Sequence, residues 1–147
     1  MTGVAEQAAY PVTMEVADWT VIDGTMDNEI HSIRGGGWRD DGRDPAWAEL
    51  EKLGESIRQA GWDQLPDWPD TYEGLQNWPA PGRTKAMRLT ARQWGMVVAA
   101  LDSGAEVEDS IDDHEAAANS RRIAALVRER LVEQGLNLLP KVRLELD

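Results

Sequence analysis

Two histidines, His31 and His114, and no cysteine make up the imidazole and thiol inventory of this 147-residue chain. Disulfides, thiolate catalysis and Cys-ligated zinc are thereby excluded. His114-Glu115 opens like the zinc-binding H-E-x-x-H helix, but the place of the second histidine is taken by Ala118, so two imidazoles one helical turn apart are not available. Gly35-Gly36-Gly37 lacks the Gly-Lys-Ser/Thr ending of a phosphate loop, and no serine stands in a G-x-S-x-G elbow. A calcium loop needs acids at alternate positions, a turn-making Gly and a closing Glu. The run from 106 to 115 has no such Gly, and around Gly24 the first and third ligand positions would be Trp19 and Val21. What remains for catalysis is His31 or His114 as a general base beside a carboxylate, or a pair of carboxylates. No cofactor and no metal site is implied.

The chemistry that dominates the chain is negative charge. Glu106, Glu108, Asp109, Asp112, Asp113 and Glu115 fall in a run with no Lys or Arg, in a chain of formal net charge -12 and pI about 4.5. Part of this has a local explanation. Acids at the start of a helix and Arg121, Arg122, Arg128 and Arg130 toward its end complement the helix dipole by about 0.3 to 1 kcal/mol per well-placed charge. The rest does not, because Glu108/Asp112 and Asp109/Asp113 are unfavourable like-charge pairs if the helix begins early. The expectation is therefore that the acids lie on a connecting loop and first turn, without basic neighbours, where they form either a merely solvated acidic loop or, on the functional reading, a surface that faces a partner. Such a surface repels a phosphate backbone and attracts a Lys/Arg-rich protein.

The reading that follows is a non-catalytic acidic interaction protein, an inhibitor or regulator that binds a basic, nucleic-acid-binding protein or complex by charge mimicry. The alternatives are a structural or assembly component of a virus or mobile element and a small enzyme built on His31 or His114. Residues 74–101 hold Arg83, Lys85, Arg88 and Arg92 and no acid, which with Trp78 and Trp94 could make a stacking surface for nucleic acid. Residues 1–33 carry six acids and no Lys or Arg, so the expectation is that the basic stretch docks on them. Direct nucleic-acid binding is not expected. The N-terminal MTGVAEQAAYPV has neither a basic nor an apolar leader region, and no apolar run approaches the ~20 residues that span a bilayer. A cytoplasmic protein with no membrane contact is expected.

The elements expected to position these residues form one α+β domain of 147 residues, the commonest domain size. Residues 1–40 read as strand-rich. The β-branched segment from Val12 to Ile22, the Asp23-Gly24 turn and a return strand over Glu29 to Ile33 predict a β-hairpin. Residues 44–60 read as a helix, with Asp44 as N-cap, Pro45 in the first turn, Trp47, Leu50, Leu53 and Ile57 at helical spacing, and Gly61 as C-cap. Residues 62–84 carry Pro66, Pro69, Pro79 and Pro81 among Trp62, Trp68 and Trp78. That composition forbids a long helix and predicts a loop pinned by its indoles, with Trp68 and Trp78 a secondary binding surface. Residues 87–135 predict a short strand at Met87 to Leu89, then an αα-hairpin. Its first helix starts at the Thr90/Gln93 capping box and ends at Ser103-Gly104; the second starts between Ser110 and Asp113 and stops at Gly135. The tail 140–147, alternating at Val142, Leu144 and Leu146, predicts a last strand joining the N-terminal hairpin.

Overall fold

The computed structural model describes residues 8–36 and 45–137. Among these residues it is a mixed structure of five helices and a two-stranded antiparallel sheet. In chain order these are β1 (Ala9–Glu15), α1 (Val16–Gly36), α2 (Pro45–Gln64), α3 (Tyr72–Leu75), β2 (Thr84–Thr90), α4 (Ala91–Ser110) and α5 (His114–Glu133). Both strands alternate as a half-buried sheet should, with Val12 and Met14 buried on β1 and Met87 and Leu89 on β2. The expected short strand at Met87 to Leu89 is thus the inner part of β2. The chain clusters into two compact units, one of residues 13–87 and one of residues 1–12 with 88–147. No helix among the described residues is long and apolar enough to cross a membrane.

In the unit of residues 13–87, the expected hairpin is absent. The chain leaves β1 at Glu15 and turns at once into the 21-residue helix α1, so Asp23-Gly24 lies inside a helix and Glu29 to Ile33 forms its last turns. The reason is visible in the spacing: Trp19, Ile22, Met26, Ile30 and Ile33, all buried, recur every three or four residues and make one apolar stripe. The β-branched content of the segment is a weaker force than burial of that stripe. Asp18 in the first turn and Arg34 in the last suit the dipole.

Helix α2 packs on α1 and runs past Gly61 to Gln64, so Gly61 is an interior residue rather than a cap. It is buried, and a Cβ placed there would come within 2.6 Å of Trp19 Cζ2, so glycine is what allows the indole to lie on the helix backbone. The expected N-cap Asp44 lies outside the described residues. Two ion-pair groups join the helices. Arg58 grips Asp23 through Nε (3.0 Å) and Nη2 (3.1 Å) and reaches Asp27 through Nη1 (2.8 Å), while Arg34 donates to Glu51 (3.3 Å) and Glu55 (2.6 Å).

The Trp/Pro segment is irregular apart from the single turn α3, whose N-cap Thr71 accepts from the Gly74 N–H. Asp67 organises it: its carboxylate accepts from Trp78 Nε1 at 2.9 Å and from both terminal nitrogens of Arg83, whose guanidinium lies 5.9 Å from the Trp78 ring centre. Among the described residues Arg83 is thus paired with Asp67, so this member of the basic stretch does not dock on an acid of the N-terminal third.

In the unit of residues 1–12 and 88–147, α4 and α5 pack as the expected helical pair. Trp94, Val98, Leu101, Ile123 and Val127 are buried between and around them, and the Trp94 indole donates to the Tyr10 carbonyl at 2.9 Å. The capping box at Thr90 is complete, with the Gln93 N–H on Thr90 Oγ1 and the Thr90 N–H on Gln93 Oε1. Ser103-Gly104 does not end α4. Ala105 beyond it is fully buried, and the packing gained outweighs the roughly 1 kcal/mol that a helical glycine costs. The expected tail strand lies outside the described residues.

Candidate functional site: the acidic turn between α4 and α5

Because α4 continues to Ser110, the acidic run is not a long loop. Glu106, Glu108 and Asp109 stand on the last turns of α4, Asp112 and Asp113 in a three-residue turn, and Glu115 in the first turn of α5. The turn is a Schellman motif: the Asp113 N–H donates to the Glu108 carbonyl (2.8 Å) and the Asp112 N–H to the Asp109 carbonyl (3.1 Å). Its central residue, Asp112, has φ 63°, in the left-handed region where glycine is the usual occupant. At the far end of α5 the same motif is closed by Gly135 at φ 86°, with Leu136 N–H on Leu131 and Gly135 N–H on Val132. Asp113 does double duty, since its carboxylate accepts the Ala116 N–H at 3.3 Å as the N-cap of α5.

The acids divide into tied and presented groups. Asp109 is tied: Oδ1 lies 2.7 Å from His114 Nδ1 and Oδ2 2.7 Å from Arg121 Nη2. The His114 hydrogen bond first, and then the Arg121 guanidinium, hold its carboxyl below the usual carboxylate range. Glu108 accepts from the buried Ser120 hydroxyl at 2.9 Å. The expectation that these acids lack basic neighbours thus fails at Asp109, whose partner arrives from α5 twelve residues on. Glu106, Asp112, Asp113 and Glu115 are exposed, and among the described residues no Lys or Arg pairs with them. His114 Nε2 approaches Asp112 Oδ1 at 3.6 Å.

Helix electrostatics account for only part of this placement. Asp113 and Glu115 stand at the N-terminal end of α5, where negative charge is stabilising. Glu106, Glu108 and Asp109 stand at the C-terminal end of α4, whose last turn holds no basic residue, and there negative charge is opposed by the helix dipole.

The other named candidates are not part of this turn. His31 is exposed on α1 with Nδ1 2.8 Å from the Asp27 carbonyl oxygen, one helical turn away. Trp68 and Trp78 are half-buried against each other, ring centres 4.9 Å apart and planes at 47°. Among the described residues no group of three or more His, Asp and Glu side chains is arranged to hold a metal ion. Two residues of the turn that sequence reasoning passed over are Val107 and Ile111, 60% and 68% exposed in the middle of the acids. Their spacing of four was the available signal. No protein-family model, curated protein or solved structure matches the chain.

Proposed function

We propose that this is a non-catalytic interaction protein that presents the acidic turn between α4 and α5 to a basic protein, acting as an inhibitor or regulator of a nucleic-acid-binding partner by charge mimicry. The observation that carries this reading is that Glu106 and Asp112 occupy positions where helix stability favours other residues. A base suits the end of α4, and a glycine suits the left-handed position of the turn. Carboxylates held against local preference, and left exposed, are charges available to a partner. A groove lined with Lys and Arg that accepts phosphates accepts such carboxylates by the same electrostatics.

The test is affinity capture from a lysate of the native host, with captured proteins identified by mass spectrometry at low and high salt. Three chains serve as bait: the natural protein, the reversal E106K/D112K/E115K, and a control reversal of exposed acids elsewhere, E49K/D70K/E73K. The expected set is Lys/Arg-rich nucleic-acid-binding proteins, released by salt and displaced by added duplex DNA, captured by the natural chain and the control but not by the first reversal. Equal capture by the two reversed chains would reduce the turn to a solubilising feature.

A further inference from the structure

Val107 and Ile111 are an exposed aliphatic pair one helical turn apart, linked by the Ile111 N–H to Val107 carbonyl bond of 3.2 Å. They take no part in the α4 core, which is built from Trp94, Val98, Leu101 and Ala105. Helical spacing places Ser103 and Gly104 on the same stripe one turn back, and a Cβ built at Gly104 meets nothing within 4 Å, so the space above the stripe is open. Nothing local asks for β-branched side chains in water at the end of a helix, where they are poorer helix formers than alanine. Glu106, Glu108 and Asp112 adjoin them in the chain, and of these Glu106 and Asp112 are exposed.

We infer that Val107 and Ile111 are the apolar anchor of a docking surface for a cationic amphipathic helix, one whose apolar stripe is flanked by Lys and Arg. The inference rests on the acidic-surface reading above and adds to it the kind of segment that is bound. An apolar centre inside a charged rim is the anatomy of a protein interface, and a helix laid on such a stripe buries both kinds of group at once. Charge selects this occupant. A nucleic acid, an anionic membrane surface and a second copy of this acidic chain would all bring negative charge to a negative rim.

The experiment titrates the full chain with three fluorescent peptides: a Leu/Lys peptide with its leucines at helical spacing, a scramble of the same composition, and an oligolysine of equal charge. The proteins are the natural chain, V107S/I111S, V107A/I111A and E106K/D112K/E115K, each checked for its helical circular dichroism. The natural chain is expected to bind the amphipathic peptide on the order of tenfold more tightly than the scramble, since two aliphatic side chains lose their water. Both Val107/Ile111 variants are expected to lose that preference while holding oligolysine as before. If either variant keeps the preference, or the natural chain does not discriminate, the inference is overturned. A charge-reversed chain that still held oligolysine would overturn the acidic reading beneath it.

Discussion

Gly61 on α2 lies directly beneath the indole of Trp19 on α1, close enough that a single methyl group at Gly61 would fall inside the van der Waals envelope of the ring, 2.6 Å from Cζ2. The two helices approach at this point because one of them has no side chain there. Trp19 is fully buried and its ring is rigid, so a methyl group cannot be absorbed by a rotamer change.

Gly61→Ala is therefore expected to destabilise the protein by about 1 to 3 kcal/mol despite the better helix propensity of alanine. Gly24→Ala is the matched control. Gly24 is exposed on α1, and a Cβ there meets nothing within 4 Å, so the same substitution should stabilise by about 0.5 to 1 kcal/mol. Urea denaturation followed by tryptophan fluorescence separates the two signs. Equal effects would refute the contact.

Asp23 is 8% exposed and held by two nitrogens of Arg58. Arg58→Met should cost about 3 kcal/mol, most of it the penalty of leaving that carboxylate buried without its cation. Asp27, the more exposed partner, should cost under about 1 kcal/mol when changed to alanine. The double variant R58M/D23L should lie closer to the natural chain than R58M alone, because an apolar pair has no charge to strand. A double-mutant cycle on unfolding free energies measures each step.

The Arg83 hydrogen bonds first, and then the Trp78 indole N–H, hold the Asp67 carboxyl well below its ordinary value of 3.8. In the unfolded chain the same group takes up its proton near that ordinary value. Between the two, the unfolded state binds the proton and the folded state does not, so stability rises with pH. The contribution of Asp67 is present above about pH 4 and is lost as pH falls toward the depressed folded value. Asp67→Asn should weaken the protein at pH 7 and flatten its acid-unfolding profile below pH 4, read from the fluorescence of Trp78 and its neighbours. A variant with the natural slope would show that the cluster does not form in solution.

At the acidic turn, two substitutions that remove negative charge should stabilise and one should not. Asp112→Gly relieves a left-handed residue and is expected to gain about 0.5 to 1 kcal/mol. Glu106→Lys places a base at the end of α4 and should also raise the thermal midpoint, whereas Glu115→Lys, in the first turn of α5, should lower it. Thermal unfolding of the three single variants tests this. If Asp112→Gly or Glu106→Lys destabilised, the acids at those positions would have a folding role, and the support they lend to a partner surface would disappear.

Local signals in the sequence determined the start of α4 and both ends of α5. Thr90 with Gln93 begins α4, Asp113 caps α5 and Gly135 closes it, because each of these residues satisfies its own neighbours' backbone groups and needs no distant contact to do so. The net charge and the acidic run were equally legible, since composition does not depend on folding. Tertiary structure decided three other things. It made a helix of Val16–Gly36, where β-branched residues and Asp23-Gly24 argued locally for a hairpin, because burying the stripe from Trp19 to Ile33 against α2 outweighs propensity. It carried α4 through Ser103-Gly104, because Ala105 is buried one residue later. It also brought Arg121 to Asp109 and Ser120 to Glu108 while leaving Glu106 and Asp112 exposed. Pairings of that kind depend on how one helix is rotated against the next, which residues far apart in the chain settle only when they pack.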